Sequence, residues 1–76
     1  MFDYTVYPNY DVEEFINACE KISRCFPKFM KAQPLIDVDG SVVQMFKNKK
    51  DEINVYNDIE VGAVYIKSNV SLSPVF

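Results

Sequence analysis

Apolar and polar residues alternate through Phe2-Asp3-Tyr4-Thr5-Val6-Tyr7, and most of the six are strand formers, so this run predicts a strand. Pro8 and Asn9 end it, and the period then changes. Val12, Phe15, Ile16, Cys19, Ile22 and Phe26 recur at helical spacing and predict the buried stripe of an amphipathic helix. Its start is fully punctuated: Asp11 as N-cap, Glu14 three residues on to complete a capping box, and Tyr10 placed to pack on Phe15 as a staple. Glu13, Asn17, Glu20, Lys21 and Arg24 fall on the water side, with Glu20 and Arg24 spaced as an i,i+4 pair. Pro27 disfavours helix at Phe26, and residues 27–31 read as one further turn with proline in first position.

Beyond Pro34 the alternation returns. Leu35-Ile36-Asp37-Val38 predicts a strand, Asp39-Gly40 a two-residue type I′ turn, and residues 42–46 the antiparallel return. That turn sets Val38 opposite Ser41 and Ile36 opposite Val43. One face then carries Ile36, Val38, Val43 and Met45, and the other Leu35, Val42 and Phe46. Residues 47–52 read as a charged loop, 53–56 alternate again, Asn57-Asp58 turn, and 61–67 form a central strand. Residues 68–76 make a docked or frayed tail with apolar Val70, Leu72, Val75 and Phe76. The expected fold is α+β, one domain over residues 1–76. A single helix packs on a three- to five-stranded, mainly antiparallel sheet in the order β-α-β-β-β(-β), a two-layer sandwich.

Composition supports a core and narrows the chemistry. Of 76 residues, 49% are apolar and 14% aromatic, the opposite of a disordered composition. No run of 18 apolar residues occurs, and Met1-Phe2-Asp3-Tyr4 lacks the basic and apolar stretches of a secretion signal, so a cytoplasmic location with reduced thiols is expected. Lysine outnumbers arginine seven to one, and Asn, Ile, Tyr and Phe are frequent, as in AT-rich coding of bacteriophages and some bacteria. A phage-encoded chain would work in the host cytoplasm.

With no histidine, neither a Ser-His-Asp nor a Cys-His arrangement is available, and with two glycines there is no glycine-rich phosphate loop. Asp37-Val38-Asp39-Gly40 starts like a calcium loop. Counted from Asp37, however, glycine falls at position 4, valine at 6 and asparagine at 12, where the loop needs glycine at 6 and glutamate at 12. Asp37, Asp39, Asp58 and Glu60 sit near strand ends without the lysine spacing of a metal nuclease, so no metal or cofactor is assigned. Cys19 and Cys25 lie in the middle and at the end of the helix, where its dipole does not favour a thiolate. The chain therefore reads as a non-enzyme with no evident small-molecule substrate.

Charge is segregated along the chain. Asp3, Asp11, Glu13, Glu14 and Glu20 stand without a base in residues 1–20; Lys21, Arg24, Lys28 and Lys31 follow; Asp51, Glu52, Asp58 and Glu60 cluster later. Such patches orient protein partners. The expected function is a small protein-binding module that inhibits or modulates a larger macromolecule, as a phage accessory protein acts on a host factor. Its expected contacts are Tyr7, Tyr56 and Tyr65, the acidic helix start at Glu13 and Glu14, and the Lys47, Lys49 and Lys50 loop. The alternatives are a self-assembling homodimer or a weak single-stranded nucleic-acid binder. A net charge of −3 and the absence of RNP1, KH or zinc-finger spacing weigh against nucleic acid.

Overall fold

The alternating run at the start forms strand β1, Phe2–Tyr7, in a computed structural model that describes residues 1–73 and Val75. Helix α1 follows over Val12–Cys25, and then β2 (Met30–Lys31), β3 (Leu35–Ile36), β4 (Val42–Asn48), β5 (Asp51–Asp58) and β6 (Ala63–Ser68). The domain is α+β: one helix against a six-stranded antiparallel sheet of order β1-β6-β5-β4-β2, with β3 also on β4. The strands thus exceed the expected three to five. Phe76, one of the tail residues expected to dock, lies outside the described residues.

The helix starts where its punctuation places it. Asp11 is extended (φ −159°, ψ 117°), and its Oδ1 accepts from the Glu14 N–H at 2.9 Å. The other half of the capping box is supplied from elsewhere: the Asp11 N–H donates to Asn57 Oδ1 at 3.1 Å. The buried arc runs through Phe15, Ala18, Cys19 and Ile22, rotated away from the predicted stripe, which leaves Val12 54% and Ile16 48% exposed. Small Ala18 joins the buried set and meets the sheet side.

Four other expectations change. Residues 27–31 do not extend the helix: the Phe29 N–H closes a turn on the Phe26 carbonyl, and Met30–Lys31 pairs with Lys47 and Phe46 at the edge of β4. The Asp39-Gly40 turn has a three-residue loop, not two. The Gly40 N–H bonds the Asp37 carbonyl at 3.0 Å, the Asp37 N–H bonds Ser41 at 2.8 Å, and only Gly40 takes positive φ (+91°). This is the type I turn plus left-handed glycine of longer hairpins. The pairing moves by one: Leu35 opposes Val43 and Ile36 opposes Val42, so both β3 side chains change face relative to expectation. The charged loop is a tight hairpin, with Asn48 opposite Asp51 and Lys49 at φ +55°. Asn69 clasps it, its Nδ2 donating to the Lys50 carbonyl at 2.9 Å and its Oδ1 accepting from the Glu52 N–H at 2.8 Å. Finally β5 runs through Asn57 and Asp58, and β6 begins at Ala63.

The core lies between α1 and one sheet face. Ala18, Cys19 and Ile22 meet Phe46, Ile53, Val55 and Ile66, and Leu72 of the tail is wholly buried among them. At about 25 cal/mol per Å² of apolar surface, this face supplies most of the drive to fold. Three polar residues are buried on the same side, and each holds an irregular segment. Gln44 Nε2 donates to the Ala32 carbonyl in the β2–β3 link, Asn57 holds the helix cap, and Ser68 Oγ both donates to the Val70 carbonyl and accepts its N–H. The Leu72 N–H in turn donates to Tyr4 Oη at 2.9 Å. Each is satisfied, as buried polar groups must be.

Candidate functional site

Because cross-strand partners share a face, the registers define the sheet surface that α1 leaves open. Across its middle run Leu35, Val43, Tyr56, Tyr65 and Thr5; beside them run Met45, Asn54, Lys67 and Asp3, and Lys47 faces Glu52. The central feature is the tyrosine pair. The rings of Tyr56 and Tyr65 stack at 4.7 Å between centroids and 9° between planes.

Asp58 fixes this pair. Its Oδ2 accepts from Tyr65 Oη at 3.2 Å, and its Oδ1 accepts from the Val61 N–H at 3.1 Å in the β5–β6 turn. Gly62, at φ +73°, closes that turn with its N–H on the Asp58 carbonyl. Burial, aided by the bond to Asp58 and its charge, pushes the Tyr65 phenol up to about 12. Tyr65 is thus a proton-bearing donor throughout the neutral range. The turn is also tied to its neighbour, since the Ile59 N–H donates to Ser41 Oγ at 2.9 Å.

Three hollows surround the tyrosines. The largest, about 390 Å³, lies among β3, β4, β5 and β6 and includes Leu35, Asp37, Val43, Tyr56, Asp58 and Tyr65. A second of about 300 Å³ lies beyond Tyr65 toward Asp3, Thr5 and Lys67. A third of about 180 Å³ lies by Glu52, Asn54, Tyr56 and Lys67. Asn54 donates to Glu52 Oε1 at 2.8 Å, while its buried Oδ1 has no hydrogen-bond partner.

The expected contact residues divide between the layers. Tyr56, Tyr65 and Lys47 share the open face. Lys49 and Lys50 form the hairpin tip at the far end of β4 and β5, several residues from the tyrosines. Tyr7 sits half-buried after a bulge at Val6, opposite Val64, whose side chain is buried on the helix side. Glu13 and Glu14 lie in the first turn of α1, in the other layer. These eight residues do not form one site. Sequence reasoning weighed Asp37 and Asp58 only as metal-nuclease carboxylates and missed Asn54, and it grouped Leu35 with Val42 and Phe46 rather than with Val43 and Met45. The Asp58 signal was available: an aspartate three residues before the turn N–H that it accepts, the spacing of a capping aspartate.

The two thiols differ in environment. Cys19 is buried, and burial raises its thiol to about 11; Cys25 is exposed. Hydrogen bonding from the Ser41 backbone holds the Asp39 carboxyl below its usual range, which suits a turn-capping role. Among the described residues, no group of three His, Cys, Asp or Glu is placed to hold a metal ion. None of the helices among the described residues is long and apolar enough to cross a membrane. No protein-family model, curated protein or solved structure matches this chain.

Proposed function

We propose that this protein is a small, non-enzymatic protein-binding module that docks on a larger macromolecule through the open sheet face and modulates it. One observation carries the reading. The helix and tail cover one side of the sheet, while the stacked tyrosines, Val43, Met45 and all three central hollows lie on the other with no element of the described chain over them. Aromatic and methionine side chains among polar neighbours are the composition of interface centres. Tagged protein recovered from the cells that make it tests this. A specific partner held by the natural chain and released by Tyr56→Ala or Met45→Glu supports the reading, and retention of the partner by both variants counts against it.

A second reading, a homodimer, is favoured by β1. It ends the sheet, and its outer edge is six residues long with Asp3 as its one charge. The opposite edge consists of two two-residue strands separated by Ala32, Gln33 and Pro34, which discourages pairing. Antiparallel self-pairing of β1 about a two-fold axis would extend the sheet through both copies. A monomer mass by light scattering at micromolar concentration removes this reading.

A further inference from the structure

Charge on the open face is uneven. The largest hollow has apolar walls in Leu35 and Val43, aromatic walls in Tyr56 and Tyr65, and two carboxylate residues, Asp37 and Asp58. No lysine or arginine lines it. The cations of this face stand elsewhere, Lys67 in the two smaller hollows and Lys47 opposite Glu52. Its volume, about 390 Å³, is at the small end of the range for ligand sites, about 300–1,000 Å³.

These walls favour one kind of guest. Tyrosine ring faces carry negative potential and attract cations, and the two carboxylates add formal charge beside them. Both carboxylates keep acceptor capacity. An ionised carboxylate offers about four acceptor positions. Asp58 uses two, on Val61 and Tyr65, and Asp37 uses one, on the Val38 N–H at 2.7 Å. A planar, weakly hydrated guanidinium both stacks on rings and pairs with carboxylates through a fork of donors, whereas a compact, strongly hydrated ammonium does the first poorly. We propose that this hollow receives an arginine side chain of the partner protein, the guanidinium lying against the tyrosines and bonding to Asp37 and Asp58. The assignment rests on the open-face reading and names the chemistry of its partner: a segment that presents arginine. The net charge of −3 would help to steer such a segment toward the protein.

The test uses the full chain, isotope-labelled, with its backbone amide signals followed by NMR. The probe is a blocked Gly-Arg-Gly peptide, compared with Gly-citrulline-Gly, its neutral isostere. Shifts should centre on residues 37, 43, 56 and 58, and the arginine peptide should bind about tenfold more tightly than the citrulline peptide. Added salt should weaken the arginine peptide alone. The double variant Asp37→Asn, Asp58→Asn keeps the acceptor oxygens that hold Val38 and Val61, and an unchanged spectrum away from the hollow will show that it folds. In it the preference for arginine should vanish. Equal response to both peptides, shifts centred elsewhere, no shifts, or a preference that survives in the double variant would each overturn the assignment. Failure of the broader reading looks different. There, a partner captured from cells stays bound to Tyr56→Ala and Met45→Glu while the arginine peptide still fills the hollow. If only the arginine assignment fails, those variants still release the partner.

Discussion

The two faces of one sheet are built to different rules. On the helix side Phe46, Ile53, Val55, Val64 and Ile66 are fully buried, and each of the buried polar residues Gln44, Asn57 and Ser68 is bonded to an irregular segment. On the open side Val43, Met45, Asn54, Tyr56 and Tyr65 are half-buried, two tyrosines stack, and Asn54 keeps a buried oxygen unpartnered. A face that must hold the fold completes its contacts internally. The open face keeps shape and unspent hydrogen-bonding capacity.

The largest expected effect tests that division. Phe46→Ala opens the covered core where the ring is 1% exposed, and should cost about 3–5 kcal/mol in urea unfolding, enough to unfold a domain of this size. Tyr56→Ala, on the open face, should cost markedly less; equal losses would erase the distinction between the faces. Next comes Asn57→Leu, which fills a similar space but strips the Asp11 N–H of its acceptor. A loss of about 1–3 kcal/mol is expected, with hydrogen exchange quickened in the first turn of α1. A loss spread evenly over the chain would show that Asn57 does not act as a local tether.

Lys49 belongs to neither face and sharpens the comparison by leaving both intact. Its left-handed backbone (φ +55°) strains a residue with a side chain, so Lys49→Gly should stabilise by about 1 kcal/mol, read as a rise in the denaturant midpoint. The smallest effect concerns Tyr65. Its phenol loses its proton near pH 10 when unfolded and near 12 when folded, so between these values the folded state binds more protons. Stability from this group is therefore present below pH 10 and lost as pH rises toward 12. Tyr65→Phe should flatten that part of the pH profile. The buried Cys19 contributes a loss of the same sign below about 11, so a residual slope remains in the variant.

What was legible in the sequence follows from how local each signal is. β1 and α1 could be read directly, because alternation, a cap and a proline act within a few residues. The β3–β4 register could not. Asp39-Gly40 fits both a two-residue turn and a longer loop that ends in a left-handed glycine, and the choice moves Leu35 and Ile36 between faces. β2 was hidden because its two residues become a strand only where the edge of β4 receives them. For the candidate site, Tyr56 and Tyr65 were visible as aromatics on strands. Alternation groups residues by side but does not say which side meets the helix when both are partly apolar. Tyr7 leaves the face of Asp3 and Thr5 through the bulge at Val6, which alternation does not signal, and Glu13 and Glu14 were grouped with strand residues by charge alone.

The pairing of β1 with β6, from Phe2 opposite Ser68 to Tyr7 opposite Val64, also sets an order of events during synthesis. β1 leaves the ribosome long before its neighbour β6 exists. The β4–β5 and β5–β6 hairpins can close locally, but the edge that receives β1 is complete only after they have formed. Closing so long a loop delays folding toward the slower range of two-state domains, about milliseconds to seconds. Until then Phe2, Tyr4 and Val6 stand unpaired on a nascent chain. Among the described strands, β1 is made well before the strand it pairs with.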